Sequence, residues 1–142
     1  MNIRVIASFV GVLCLIPAFQ GPNNEVTSQV ALCMYTFASS CFASACIIRP
    51  QLFWTNQLDF AFDQYHLLFS RLIGLFIILS IVCLWYMPLF ISFRISAVSV
   101  ALFTLFELAY VEIFIVHSSK MFKYMHASMI ALTIVYFSTC KY

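Results

Sequence analysis

A chain of 142 residues that is 64% hydrophobic and 8% charged lies far from soluble proteins, in which about a quarter of residues are charged. Its solvent is the bilayer, and its length leaves room for one bundle of about four or five spans of about 20 residues and no separate soluble domain. Seven basic and five acidic residues give a formal charge of +2; they are scattered singly, which argues against nucleic acid as a partner and against a polybasic lipid-binding segment.

In chain order, Met1 to Gln20 has a charged tip at Arg4 and an apolar run from Val5 to Phe19, followed by a polar break, GPNNE, at Gly21 to Glu25. This plan fits a signal anchor and a cleavable signal peptide equally: the run is short, Pro17 lies near its end, and no small-x-small cleavage site stands out around Ala18. Either outcome leaves Gly21 to Thr27 on the far side of the membrane.

A span is expected over 28–48. It is rich in small residues, and the spacings of four in Ser39 with Ala43 and Ser40 with Ser44 would let another helix approach closely, because van der Waals contact holds membrane helices together. A second reading has these hydroxyls line a polar pathway. Cys33, Cys41 and Cys46 in the same run lack zinc-type spacing and read as small packing residues.

Arg49-Pro50 ends that run. Residues 49–66 mix aromatics, amides and acids and are expected at the membrane interface, with Trp54 in an aromatic belt, Asp59 and Asp63 on one water-facing side of a short surface helix, and His66 at its end. Further spans are expected over 67–86, 95–117 and 124–140, with a tight connection at Met87 to Arg94 where Pro88 helps end the helix. The expected fold is all-α: an integral membrane up-and-down bundle of four transmembrane helices plus the N-terminal signal anchor or signal peptide. With the N-terminus inside, Arg4, Arg49, Arg71, Lys120 and Lys123 fall on the inner side and Arg94 and Lys141 on the outer, as the positive-inside bias asks.

Two carboxylates, Glu107 and Glu112, fall inside the 95–117 run, where a charge costs several kcal/mol and needs a partner. Arg71 is the candidate. If the connection centres near Ile91, Arg71 and Glu112 are about equally far from it and sit level across an antiparallel pair, with Glu107 deeper. Gly74, one turn beyond Arg71, permits close approach of a neighbouring helix.

Residues 50–94 carry a proline and aromatic exit (RPQLFW), an aspartate, then Arg71-Leu72 with Gly74, Trp85 later in that run and Arg94 after the turn. This pattern resembles small eukaryotic four-span membrane proteins of the tumour-protein-inducible and DoxX-like kind. The resemblance implies chaperone-like or accessory roles and little chemistry.

Enzymatic motifs are missing: the chain has no phosphate-binding glycine loop, no H-E-x-x-H, no G-x-S-x-G and no C-x-x-C. His66, His117 and His126 fall near the inner interface, where histidines bonded to headgroups or backbone are commoner than metal ligands. No metal, cofactor or catalytic residue is therefore expected. The favoured reading is a non-catalytic multi-pass protein, an accessory, assembly or structural subunit of a larger membrane complex such as a channel, transporter or respiratory-type assembly. Its partners would be membrane lipids and other membrane-protein subunits. The alternative is a small transporter or proton or ion pathway using Glu107, Glu112 and Arg71. Endomembranes, the plasma membrane and the mitochondrial inner membrane all fit the composition.

Overall fold

The computed structural model describes residues 12–51, 63–109 and 120–140, the side chains of 107–109, 120–123, 125 and 126 excepted. These residues form five helices: α1 (Ile16–Gln20), α2 (Glu25–Ile48), α3 (Gln64–Tyr86), α4 (Leu89–Ala109) and α5 (Lys120–Ser138). Strand-like pairing among them is limited to an isolated bridge between Pro22 and Cys140.

Helices α2 and α3 start where the sequence supplies a side-chain cap. Asn24 is extended and its side chain accepts the Thr27 N–H at 2.8 Å, while the Ser28 hydroxyl donates to the Asn24 carbonyl at 2.7 Å. Asp63 does the same for α3, accepting the His66 N–H at 3.0 Å. Such caps satisfy orphan N–H groups of the first turn. Gly21, between α1 and α2, adopts a positive φ of 77°, a conformation that L side chains rarely take.

Pro88 starts a helix here. Its carbonyl accepts the N–H of Ile91 at 2.9 Å and of Ser92 at 3.1 Å, so α4 begins at Leu89 and the turn is confined to Met87 and Pro88. The expectation of a connection running to Arg94 and centred near Ile91 is thereby corrected. A proline lacks the N–H that a first-turn residue would leave unpaired, and its fixed φ suits helix entry. The expected start of the preceding helix moves as well: Gln64 to His66 belong to α3, so Asp63 caps a long apolar helix and is not part of a surface helix shared with Asp59, which lies outside the described residues.

The α3–α4 turn, the start of α2 and the end of α5 share one end of the bundle, because Gly21 lies against Phe90 and Arg94 and the Asn23 N–H donates to the Thr139 carbonyl at 2.7 Å. Helices α2 to α5 therefore alternate in direction. The hub is α4, which touches all four other helices and has 39% of its apolar window buried against 22% for α2 and for α3. Ala18 of α1, Ala31 of α2, Phe93, Ala97 and Val100 of α4, and Leu132 and Tyr136 of α5 make the core. Three helices, Glu25–Ile48, Gln64–Tyr86 and the Leu89–Phe106 part of α4, are long and apolar enough to cross a membrane, since about 20 residues at 1.5 Å rise cover the hydrocarbon thickness. The apolar part of α5, Ala127–Ser138, is shorter.

Candidate interaction face and polar core

A ladder of hydroxyls ties α4 to its neighbours. Ser92 donates to the Leu84 carbonyl at 2.5 Å, occupying one of the orphan acceptors at the end of α3. One turn on, Ser96 donates back to the Ser92 carbonyl at 2.8 Å, with the Phe93 carbonyl at 3.0 Å. The Ser96 oxygen in turn accepts the Tyr136 phenol at 2.5 Å, and the Tyr136 ring packs on Phe93 with centroids 5.0 Å apart. Ser92, Ser96 and Phe93 are 0% exposed and Tyr136 1%. With no water at this depth a polar group must be satisfied inside the protein, and all three hydroxyls are.

Further along α4, Ala97, Val100, Ala101 and Thr104 are buried, and the Thr104 hydroxyl lies 3.5 Å from that of Thr133. This small-residue face, repeating every four residues from Ser92, is the one about which the bundle packs. Sequence reading missed it by assigning Ser92 and Arg94 to a loop; the four-residue spacing was there to be read. Arg94 instead lies in the second turn of α4, its guanidinium 5.9 Å from the Phe90 ring centroid and beside Gly21.

The small residues of α2 divide. Ala43 is 0% exposed and faces Gly74 so closely that a Cβ on Gly74 would lie 2.8 Å from the Ala43 carbonyl and 2.7 Å from Ile47 Cγ1. Ser39 and Ser40 are half-buried, and Ser44 is exposed. The close approach thus runs through Ala43, Cys46 and Gly74, and the Ser40–Ser44 spacing does not make it. Nearer the turn, the Trp85 indole N–H donates to the Thr36 hydroxyl at 3.1 Å.

Arg71 is exposed. Since Gly74 is level with Ala43, antiparallel register puts Arg71, three residues earlier on α3, about level with Cys46, close to the end of α2 at Ile48. Helical side chains lean toward the helix N-terminus, which on α3 is the end that lies beside Ile48. The position as far after the Met87–Pro88 turn as Arg71 lies before it is Thr104, and the equal spacing expected for Glu112 does not hold. Glu112 and the Glu107 side chain lie outside the described residues, as do Trp54, Asp59 and His117 and the side chain of His126. Asp63 and His66 are exposed, with His66 Nδ1 2.7 Å from Asp63 Oδ1; the two hydrogen bonds from His66 hold the Asp63 carboxyl below its ordinary range.

Among the described residues no group of three or more His, Cys, Asp or Glu side chains could hold a metal ion. All six cysteines are free thiols. Comparison with protein-family models, with curated sequences and with solved structures finds no match to this chain. Three apolar helices of spanning length define a membrane-embedded helical bundle.

Proposed function

We propose that the protein is a non-catalytic multi-pass membrane protein, an accessory, assembly or structural subunit of a larger membrane complex of channel, transporter or respiratory type. The observation that carries this reading is α3. Over its 23 residues only Ser70, Gly74, Ile81 and Leu84 are buried. Leu68, Phe69, Leu72, Leu75, Phe76 and Leu79 are all exposed, giving an apolar surface wide enough to receive another helix as well as lipid. The resemblance of residues 50–94 to the tumour-protein-inducible and DoxX-like group points to the same accessory role.

In this reading the bundle has four spans after Gly21, with α4 and α5 making the third and fourth crossings. The N-terminal run serves as a retained signal anchor, supported by the burial of Pro17 and Ala18 and the packing of Ala18 against α4 and α5. The test is isolation of the tagged protein from its native membranes in mild detergent. A subunit migrates in a complex of fixed stoichiometry with other membrane proteins, and its mature mass includes residues 1–20. Migration as a single chain in its detergent belt contradicts the subunit reading.

A further inference from the structure

We propose that the cleft enclosed by α2, α3, α4 and α5 near the midpoint of α2 binds a membrane-soluble ligand whose ring-sized head carries a hydroxyl or carbonyl oxygen. The inference does not depend on the subunit reading. A cavity of about 140 Å³ opens there, and an engineered apolar cavity of about 150 Å³ in another protein takes up benzene. Its walls are apolar, formed by Ile77, Met129 and the rings of Phe42 and Phe103, which meet edge to face with centroids 6.3 Å apart.

Four hydroxyl-bearing side chains interrupt this lining: Tyr35 and Ser39 of α2, Ser99 of α4 and Ser128 of α5. Tyr35 and Ser39, one turn apart on α2 and half-buried, both border the cavity. Neither has a hydrogen-bond partner among the described residues. Ser99, which also borders it, is already committed to the Ile95 carbonyl at 3.0 Å. At the α4–α5 interface, by contrast, the buried hydroxyls of Ser92, Ser96 and Tyr136 are satisfied. At this depth an unmade hydrogen bond is costly. A ligand oxygen reaching Tyr35 and Ser39 would satisfy both, since each hydroxyl can donate or accept, while the ring would lie against the aromatic and aliphatic walls.

The probes are 4-fluorophenol and 4-fluorotoluene, matched in size and differing in the oxygen. Both are titrated into the purified full chain in nanodiscs and followed by fluorine NMR. The expected result is a saturable bound signal for the fluorophenol at about tenfold higher affinity than for the fluorotoluene, the worth of a net hydrogen bond. Tyr35→Phe with Ser39→Ala should equalise the two, and Ser39→Leu should abolish saturable binding of both. Tyr35→Phe alone, the mildest change, should narrow the preference if the double variant does not fold. Equal affinities in the unaltered protein, linear partitioning without saturation, or a preference that survives Tyr35→Phe would overturn the proposal.

Discussion

The Tyr136 phenol donates to the Ser96 hydroxyl across the α4–α5 interface, and Ser96 keeps two backbone acceptors of its own. The two partners are therefore unequal. Tyr136→Phe removes a donor and leaves Ser96 satisfied, at a cost of about 1 kcal/mol. Ser96→Ala strands a buried phenol and costs about 1–3 kcal/mol. Thermal unfolding in detergent should rank Ser96→Ala below Tyr136→Phe. The double variant should be no less stable than Ser96→Ala, because the stranded group is gone. Equal losses would show that the phenol finds another acceptor.

Gly74→Ala should separate α2 from α3. The added carbon would fall 2.8 Å from the Ala43 carbonyl and 2.7 Å from Ile47 Cγ1. The Ile47 side chain can turn away but the carbonyl cannot, so overpacking of about 1–3 kcal/mol follows. Ile47→Val should then fail to restore stability in the Gly74→Ala background. A Gly74→Ala protein as stable as the unaltered one would show that the helices do not meet at this point.

The Asp63 cap makes a pH prediction. Hydrogen bonds from His66 lower its carboxyl in the folded state. A lowered folded pKa contributes stability that is present above the unfolded carboxyl value, about 3.9, and is lost as pH falls through the folded value. Asp63→Asn should flatten that acid limb while keeping most of the cap, since Asn also accepts at this position. Asp63→Ala should lose the cap at every pH. Protection of the Leu67 amide, which bonds the Asp63 carbonyl, from hydrogen exchange reads the difference.

If α5 crosses the membrane, its two ends are on opposite sides. In a cysteine-free background, Lys141→Cys should react with an impermeant maleimide from the same side as Asn23→Cys, and Gln51→Cys from the other. Labelling of Lys141→Cys and Gln51→Cys from one side would reduce the bundle to three spans.

Much of this architecture was legible because apolar runs end at polar or interfacial residues. The 28–48 and 67–86 spans fall inside α2 and α3, bounded by Asn24, Arg49, Asp63 and Trp85-Tyr86. Harder to read was the start of α4. Ser92 and Arg94 look like loop residues, yet Ser92 bonds the end of α3 and Arg94 rests beside Gly21, contacts that exist only once the helices are assembled. Those six extra helical residues, Leu89 to Arg94, moved the hairpin register, and with it the reason for setting Arg71 against Glu112. The division of the α2 small residues into Ala43 at the contact and Ser44 outside it likewise depends on which face α3 takes. Spacing alone leaves both faces open.

The subunit reading is tested most directly at Phe76, 65% exposed on α3. A photoreactive phenylalanine there should crosslink in native membranes to one defined membrane protein in good yield. The same group at Phe93, which is 0% exposed, should give only internal links. Crosslinks from Phe76 confined to lipid would mean that α3 faces the bilayer alone and would contradict the account.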